Sequence, residues 1–371
     1  MKIEDFKLER FFAKYEFAAK YLLCCSDCES LTTKDLLYLA KSDTLDMWHS
    51  LHLGYTESQG HPQLRQEISL LYEDIYPSET LVAAPEEAIF IAMNSILSPK
   101  DHVIVTYPGY QSLFEIARSI GCEISKWEPD YDESGFSFNT NKLQNLVQSN
   151  TKMIIINFPH NPTGAHLDQE QLKEIIQIAK YQNAFLFADE MYRFLEHDQN
   201  NRLKPVCDLY ENGISLCGMS KSLSLPGLRI GWLATKNKEV YNKACAFKDY
   251  TTICNSAPSE ILAIMGLQAK DKIVKRNIEL IKTNLDLLDS FFEKYKSIFE
   301  WHRPNAGPIA FPKLKLDKPV ALFCKELLDA TSVLLLPSEL YDYKSNHFRI
   351  GFARKNMPEC LAKLKNYIKT L

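Results

Sequence analysis

The chain has 371 residues, of which 46% are hydrophobic and 24% are charged. At roughly 150 residues per domain, this length predicts two or three domains that need neither disulfides nor metals to fold. The formal net charge of −4 argues against a nucleic-acid partner, because binding a phosphate backbone requires a basic surface. Charges interrupt the opening segment MKIEDFKLERFF, and no apolar run approaches 18 residues. We therefore predict a cytoplasmic protein with no export signal and no membrane contact.

The first 45 residues are charged and helical in pattern, and we expect them to pack with the C-terminal part of the chain. Three of the ten cysteines, Cys24, Cys25 and Cys28, are grouped in this segment. A single CxxC spacing with no second CxxC or HxxxH does not supply four zinc ligands. We predict free thiols in a reducing compartment and no metal site.

The middle of the chain alternates short apolar runs with helical patterns. A helix is predicted over Leu167–Tyr181, where apolar residues recur at intervals of three or four. Strands that are buried on both faces and separated by helices indicate an α/β fold with a mostly parallel, doubly wound sheet. The predicted strands are His102–Thr106, Lys152–Asn157, Ala184–Ala188, Ile214–Cys217 and Ile230–Ala234.

The pattern changes after about residue 236. Long helices are predicted over Glu239–Gly266 and Lys270–Tyr295, followed by short strands and a closing helix over Pro358–Leu371. We therefore predict a large domain over residues 46–268. A smaller α+β domain is expected to combine residues 1–45 with residues 269–371.

Polar residues follow successive predicted strands, at the sheet edge where open α/β folds bind ligands. Asn161 follows the second strand, Asp189 the third and Lys221 the fourth, with Arg229 eight residues further on. Each has an ordinary alternative role: a turn for Asn161, a helix N-cap for Asp189 and a solvated surface for Lys221. Their occurrence together at one edge favours a shared site.

At this point the sequence strongly resembles the fold-type I pyridoxal-phosphate (PLP) aminotransferases of class I/II. The resemblance implies a three-layer fold with a smaller α+β domain, and a homodimer with active sites at the subunit interface. It also implies transfer of an amino group between an L-amino acid and a 2-oxo acid. The matching segments are LGYTESQGHPQLR (53–65), YPGYQSL (107–113), NFPHNPTG (157–164), ADEMY (188–192), SKSLSLPGLRIGW (220–232) and FRIGFAR (348–354).

The resemblance assigns roles around the cofactor ring, which acts as an electron sink. Lys221 matches the Schiff-base lysine, and Asp189 matches the carboxylate that keeps the pyridine nitrogen protonated. Asn161 and Tyr192 match the donors to the ring oxygen, so Lys221, Asp189 and Tyr192 form the expected catalytic set. Tyr110 matches the aromatic residue that stacks on the ring.

Further matches concern the phosphate and the substrate. Arg229 matches the phosphate-binding arginine, aided by Ser220 or Ser222, and Tyr55 matches the tyrosine that reaches the partner subunit's phosphate. Arg349 matches the residue that binds the substrate α-carboxylate through its planar guanidinium group. Asn161 is also expected to bind the substrate.

The chain departs from the family pattern in two places. The phosphate-binding turn carries Ala84, Pro85 and Glu86, and proline has no N–H to donate. The expected phosphate contacts are therefore the amides of Ala84, Glu86 and their neighbours at the helix N-terminus. Gly218 replaces the serine often found three positions before the lysine, which removes one hydroxyl contact.

Other functions are less compatible with these residues. The chain lacks GxxxxGK[ST], GxGxxG and HExxH, which argues against an NTPase, a Rossmann dehydrogenase and a zinc protease. A degenerate fold used only for binding would lose the lysine or the aspartate, and both are present. Within the PLP enzymes, a β-lyase or an arginine oxidase or hydroxylase remains the alternative to an aminotransferase.

The substrate side chain is expected to meet the N-terminal segment. Glu16 and Asp27 are predicted to bind a cationic side chain such as that of arginine or lysine, because paired carboxylates favour a guanidinium group in a closed pocket. A fainter resemblance to PLP-dependent arginine oxidases agrees with this. The alternative is a solvated helix face with a helix N-cap at Asp27 or Ser30.

Overall fold

A computed structural model describes residues 2–371, and a central sheet organises most of them. Within this range the sheet strands are β1 (Thr80–Ala83), β2 (His102–Thr106), β3 (Glu123–Trp127), β4 (Thr151–Asn157), β5 (Phe185–Asp189), β6 (Gly213–Gly218) and β7 (Gly231–Ala234). Their order across the sheet is β1-β7-β6-β5-β4-β2-β3. Only β7 is antiparallel to its neighbours, β1 and β6. The predicted, mostly parallel α/β sheet is therefore confirmed.

The five predicted strands correspond to β2, β4, β5, β6 and β7, with ends displaced by one residue at most. The prediction missed β1 and β3. Strand β3 is an edge strand with the sequence EISKW, in which only Trp127 is buried. Strand β1 is fully buried but has only four residues, too few to establish a period.

Helices cover both faces of this sheet, and the predicted helix Leu167–Tyr181 corresponds to Gln169–Gln182. Within residues 2–371, no helix is both long enough and apolar enough to cross a lipid bilayer. The helices between residues 33 and 268 are Thr33–Leu39, Ser42–His49, Pro62–Ser69, Pro85–Ile96, Ser112–Ile120, Thr140–Leu146, Gln169–Gln182, Val206–Leu209, Lys238–Lys248 and Ala257–Gln268.

The prediction of one helix over Glu239–Gly266 is wrong, because the chain forms two helices, Lys238–Lys248 and Ala257–Gln268. Between them Ile253 adopts a left-handed backbone conformation with φ of 65°. Pro258 lies in the first turn of the second helix, where its missing N–H is tolerated. Helical periodicity continues across this break because both helices bury apolar residues.

The C-terminal region forms a second core from short strands and helices. The strands Tyr21–Leu22 and Val333–Leu334 are parallel, and Phe348–Gly351 pairs with both Ile309–Ala310 and Leu336–Pro337. A further small pair joins Phe299–Glu300 to Lys313–Leu314, and Asp130–Asp132 pairs with Gly135–Ser137. The helices of this region are Lys7–Tyr15, Val320–Thr331 and Met357–Ile368.

The helix Lys270–Lys294 joins the two cores. Ile281, Leu285 and Leu288 pack in the C-terminal core, whereas Val274 lies against the core of the large sheet. Tyr21, Leu23 and Cys28 also belong to the C-terminal core, but Leu36 packs with Leu64 and Trp232 in the large core. The division at residue 45 stays a prediction, and this packing favours a boundary nearer residue 30.

Candidate active site

A cavity of about 610 Å³ opens where the carboxyl ends of β4, β5 and β6 meet the N-terminal segment and the C-terminal region. Parallel strands bring their carboxyl ends to one edge, so residues distant in sequence converge there. The predicted site residues that line this cavity are Glu16, Asp27, Pro85, Glu86, Tyr110, Asn161, Asp189, Tyr192, Ser220, Lys221, Arg229 and Arg349.

Asp189 is the last residue of β5 and is buried beside the cavity. Its Oδ1 accepts a hydrogen bond from the Met191 amide at 3.1 Å, and no other described residue donates to its carboxyl group. Burial raises the pKa of Asp189 to about 6. A buried carboxyl group with no cationic hydrogen-bond partner fits a ligand that brings a positive charge.

Asn157, the last residue of β4, supports the same region. Its Nδ2 donates to the Asp189 carbonyl oxygen at 3.0 Å, and its Oδ1 accepts from the Asn161 amide at 2.9 Å. Asn157 and Asp189 are paired in register on the neighbouring strands. The side chain of Asn157 therefore positions both the acid and the asparagine that follow these strands.

Lys221 follows β6, and its amine lies in the cavity. Nζ donates to the Ser26 hydroxyl at 2.9 Å, which links the sheet to the N-terminal segment. Burial lowers the pKa of Lys221, although Asp27 opposes this shift. A lysine amine with a lowered pKa is more available as a nucleophile near neutral pH.

Arg349 lies in the strand Phe348–Gly351 and is almost completely buried. Nε donates to the Cys24 carbonyl at 3.0 Å, and Nη1 donates to the Tyr341 hydroxyl at 2.6 Å and to Asn161 Oδ1 at 3.2 Å. Among the described residues Nη2 has no acceptor. The guanidinium group is thus held on one side and retains donors for an anion on the other.

Tyr192 and Tyr110 line two further sides of the cavity. Burial raises the pKa of both hydroxyl groups, so both stay protonated donors at neutral pH. The ring of Tyr110 packs against Phe6, with centroids 4.9 Å apart, and its hydroxyl donates to Glu9 at 3.4 Å. The N-terminal segment therefore holds the Tyr110 ring in place.

The phosphate side contains unused donors. The hydroxyl oxygens of Ser220 and Ser222 are buried without a hydrogen-bond partner, and Arg229 lines the cavity while donating to the Pro226 carbonyl at 2.9 Å. The helix Pro85–Ile96 points its first turn to this side, with Pro85 at the first position. The Glu86 carboxyl group accepts from the Ser112 hydroxyl, and burial raises its pKa.

Gly218 has no space for the serine that the family often carries. A Cβ at this position would lie 3.0 Å from the Gly231 Cα and 3.1 Å from the Ile230 carbonyl oxygen. The close approach of β6 and β7 therefore accounts for glycine at this position, and Ser220 and Ser222 are the hydroxyl groups that remain nearby.

Two predicted residues lie outside the cavity lining. The Ala84 amide donates to Glu87 at 3.4 Å, so the phosphate contacts fall to the amides that follow it in the first turn. Tyr55 is 95% exposed and does not line the cavity. Its expected role concerns a second subunit.

The N-terminal segment brings two carboxyl groups to the cavity. Asp27 accepts from Arg354 Nη2 at 2.9 Å and 2.8 Å through its two oxygens. Glu16 has no hydrogen-bond or ion-pair partner among the described residues, and burial, followed by Asp27, raises its pKa. The alternative helix N-cap at Asp27 or Ser30 is wrong, because Thr32 caps the helix Thr33–Leu39.

Sequence reasoning missed the roles of Ser26, Asn157, Tyr341 and Arg354. The motif segments contain Asn157 and Arg354, so the two could have been flagged as polar residues at strand ends. Tyr341 and Ser26 carry no local signal, since each acts on a residue more than seven positions away. Cys24, Cys25 and Cys28 are buried free thiols, and Cys25 lines the cavity.

These groups fit pyridoxal phosphate. Asp189 suits a pyridinium nitrogen, the Lys221 amine suits an aldehyde, and Ser220, Ser222 and Arg229 suit a phosphate. The fit rests on the buried Asp189 carboxyl group, which is bonded only to the Met191 amide, and on the two buried serine hydroxyls, which have no partner. Among the described residues, no group of three histidine, cysteine or acidic side chains is placed to bind a metal ion.

Comparison with known proteins agrees with this site. The sequence profile of aminotransferase class I and II matches residues 27–364. The chain is 28% identical to an aspartate aminotransferase of Sulfurisphaera tokodaii, covering 86% of this chain and 83% of the relative. It is 27% identical to capreomycidine synthase of Streptomyces vinaceus, covering 72% and 68%.

A solved structure agrees as well. A PLP-dependent aminotransferase from Streptococcus suis superposes with a TM-score of 0.93 at 30% identity, covering 100% of this chain and 99% of that one. The profile match spans most of the chain, and the fold and the cavity residues are consistent with it. The chain therefore belongs to the class I and II aminotransferase family and is a PLP-dependent aminotransferase that moves an amino group between an L-amino acid and a 2-oxo acid.

Proposed function

We propose that Lys221 carries the cofactor and that Asp189 faces its pyridine nitrogen. The observation that carries this assignment is that both side chains line one cavity without a charged hydrogen-bond partner. When bound, pyridoxal phosphate supplies a ring that withdraws electrons from the substrate α-carbon. The Asp189 carboxylate stabilises a proton on the ring nitrogen, and the Lys221 amine moves a proton to and from the α-carbon.

The remaining predicted residues orient the cofactor. Tyr192 and Asn161 would donate to the ring oxygen, and the Tyr110 ring would pack on the face of the pyridine. The phosphate would be bound by Arg229, Ser220 and the first-turn amides after Ala84 and Pro85. The Glu86 carboxyl group accepts a hydrogen bond from the Ser112 hydroxyl. The unpartnered Ser220 hydroxyl supports this arrangement.

Arg349 binds the substrate α-carboxylate. The bonds from Nε and Nη1 to Cys24, Tyr341 and Asn161 fix the guanidinium plane before substrate arrives. The free Nη2 side then receives the carboxylate without reorganisation, which lowers the entropic cost of binding. Asn161 accepts a hydrogen bond from Arg349 and would also donate to the cofactor, so this residue links substrate binding to cofactor binding.

We infer a homodimer with shared active sites. Leu53, Tyr55, Tyr250 and Ile253 are large, apolar and exposed, and Tyr55 and Tyr250 are at least 90% exposed. Their segments lie together, because Thr56 Oγ1 donates to the Asn255 carbonyl at 3.4 Å. A patch of this kind favours an interface. Tyr250→Glu is expected to yield monomers in sedimentation and to lower activity, whereas unchanged sedimentation would count against this interface.

We also propose that the protein is cytoplasmic. Ten free cysteines support it, because such thiols persist in reducing compartments.

Glu16 and Asp27 are proposed to bind a cationic substrate side chain. The support is that Glu16 has no partner and that Asp27 has acceptor capacity beyond its contact with Arg354. The kcat/KM values for arginine, glutamate and phenylalanine, compared between wild type and Glu16→Gln or Asp27→Asn, test this. A preference for arginine that falls in both variants is expected, and unchanged selectivity would remove this role.

One experiment tests the reaction as a whole. The purified holoenzyme is mixed with single amino acids while the cofactor absorbance and dissolved oxygen are recorded together. Conversion of the cofactor to its amino form without oxygen uptake, reversed by a 2-oxo acid, is expected. Oxygen consumption would instead indicate an oxidase, and release of ammonia with a 2-oxo acid from a β-substituted amino acid would indicate a β-lyase.

A further inference from the structure

Glu87 joins the phosphate-binding turn to an exposed loop. It is the third residue of the helix that begins at this turn, and its Oε2 accepts a hydrogen bond from the Ala84 amide at 3.4 Å. Its Oε1 accepts from the Thr252 amide at 3.2 Å and from the Thr252 hydroxyl at 2.7 Å, and the Thr251 hydroxyl donates to the same oxygen. Both threonines belong to residues 249–256, named here the patch loop because two exposed apolar residues of the proposed interface lie in it. One carboxyl group therefore holds the turn and the patch loop together.

The patch loop is held on its other side by Lys248, which has no exposed surface. Nζ donates to the Ser58 carbonyl oxygen at 2.5 Å and to Asn255 Oδ1 at 3.3 Å. Asn255 Nδ2 in turn donates to Glu260 Oε1 at 2.8 Å. Burial lowers the pKa of Lys248, while the charges of Glu87 and Glu260 oppose this shift. A buried ammonium group therefore fixes the loop and adds positive charge near Glu87.

The charge of Glu87 opposes phosphate binding unless it is compensated. The first turn of a helix attracts anions through its free amides and its dipole, and a carboxylate in the same turn repels them. Here three donors of the patch loop and the Lys248 ammonium group compensate that charge. If the loop moves away, the carboxylate loses these partners and its charge acts on the phosphate site. Phosphate binding therefore depends on the position of a loop that does not line the cavity.

We propose that Glu87 is a positioning residue that makes phosphate binding depend on the association of two copies of the chain. In the proposed homodimer the exposed side chains of Tyr250 and Ile253 are covered, which fixes the patch loop against Glu87. The inference rests on the proposed homodimer and cofactor site, and it adds a route that needs no contact between the partner subunit and the phosphate. Because coupling between two binding events is reciprocal, bound phosphate also strengthens the dimer.

Two ligands that differ only in the phosphate test this coupling. Pyridoxal phosphate and pyridoxal are titrated into the cofactor-free full chain, and the readout is the Kd of pyridoxal divided by the Kd of pyridoxal phosphate. The titrations are made at protein concentrations below and above the dimer dissociation constant, which sedimentation provides. Every chain in this comparison carries Tyr55→Phe, which removes the hydroxyl expected to reach the partner subunit's phosphate.

The Kd ratio is expected to be roughly ten-fold higher in the dimer than in the monomer, as is usual for coupled sites. Glu87→Gln keeps the length of the side chain and an acceptor oxygen but removes the charge, so the ratio should be equal in monomer and dimer. A ratio that still rises on dimerisation in this variant would overturn the proposal.

Glu79→Gln is the matched control, because Glu79 is a half-buried acid that lies outside the cavity and accepts from the Tyr76 amide at 2.8 Å. The difference between monomer and dimer should persist in this variant. If Glu79→Gln abolishes the difference as Glu87→Gln does, the effect comes from general destabilisation, and the proposal is wrong.

Thr252→Val tests the role of the charge within the dimer. It removes one donor to Glu87 and leaves the carboxylate in place, so the Kd ratio should fall roughly two- to ten-fold. Glu87→Gln in the same chain should restore the ratio, whereas a ratio that stays low would overturn the role of Glu87. A chain that stays monomeric at every concentration would refute the homodimer and the coupling with it. A dimer whose Kd ratio does not depend on Glu87 would refute the coupling alone.

Discussion

The cofactor side of the cavity is built from the ends of neighbouring strands, whereas the substrate side is assembled from opposite ends of the chain. Asp189 ends β5 and Lys221 follows β6, so the sheet itself sets their separation. Arg349 and Arg354, in contrast, are bonded to Cys24 and Asp27 across more than 320 residues. The cofactor side therefore depends on regular secondary structure, and the substrate side on long-range packing.

Because of this difference, we expect substitutions on the two sides of the cavity to affect activity in different ways. Changes on the cofactor side should remove the chemistry for every substrate. Changes on the substrate side should alter which substrate is accepted and how tightly. Single substitutions on each side should separate these outcomes.

Replacing Lys221 by Ala should remove amino transfer with all substrates, because the amine both attaches the cofactor and moves the proton. The long-wavelength absorbance of the holoenzyme should disappear, and borohydride should no longer link the cofactor to the chain. A borohydride-stable link in this variant, located by peptide mass spectrometry, would assign the attachment to another lysine.

Replacing Asp189 by Asn should slow the chemical step by about a hundred- to a thousand-fold, because the neutral amide does not hold a proton on the ring nitrogen. Single-turnover absorbance measures this step. Glu190→Gln is the matched control, since Glu190 is a neighbouring buried acid outside the cavity, bonded to Val206 and Ser215. If both variants slow the reaction equally, the effect comes from the loss of a buried acid and not from a contact with the ring nitrogen.

Replacing Arg349 by Lys should lower kcat/KM roughly ten- to a hundred-fold for every amino acid, because one charge-assisted contact is worth about 1.5–3 kcal/mol. The effect should be common to all side chains, unlike that of Asp27→Asn. Steady-state kinetics with arginine and glutamate compare the two. If amines without a carboxylate react as well as amino acids do, Arg349 has another role.

The cofactor-free protein should lose stability as pH rises from about 4 to 7. Burial raises the pKa of Asp189 to about 6, so this group favours folding below its unfolded pKa near 3.9 and loses that contribution as pH passes 6. The difference is at most about 3 kcal/mol. Urea unfolding at pH 4.5 and 7.5 should show a smaller change in Asp189→Asn, and an equal change would exclude Asp189 as its source.

The helix Lys270–Lys294 contacts both the cofactor side and the substrate side of the cavity, so substitutions in this one helix allow a direct comparison of the two sides. Asn277 Nδ2 donates to the Ser222 carbonyl at 2.9 Å and to the Ser224 hydroxyl at 2.8 Å, while Asn284, two turns later, holds Phe352 and Arg354. Alanine at either position should cost about 1–2 kcal/mol of unfolding free energy.

The two alanine variants should nevertheless differ in function. Asn277→Ala should shift the absorbance of the bound cofactor, and Asn284→Ala should raise KM with little spectral change. Spectra and kinetics measured on the same preparations decide between them. Equal changes in both readouts would show that the two sides of the cavity behave as one unit.

Much of the cofactor side was predictable from sequence because its signal is local. Apolar β-branched runs indicate buried strands, and a polar residue within a few positions of the end of each run lies at the ligand-binding edge of a parallel sheet. Asn161, Asp189 and Lys221 were identified in this way, and the resemblance then suggested their roles. The break between Lys238–Lys248 and Ala257–Gln268 was missed because two buried helices in sequence share one periodicity.

By itself, the sequence determined the α/β class, the strands β2, β4, β5, β6 and β7, and the family to which the chain belongs. Only the tertiary structure decided that Asp27 is paired with Arg354, that Glu16 is unpaired and that Tyr341 holds Arg349. The physical reason is that strand and helix periods report contacts over a few residues. Side-chain hydrogen bonds between the N-terminal segment and the strand Phe348–Gly351 depend on how the two cores pack, which no local pattern records.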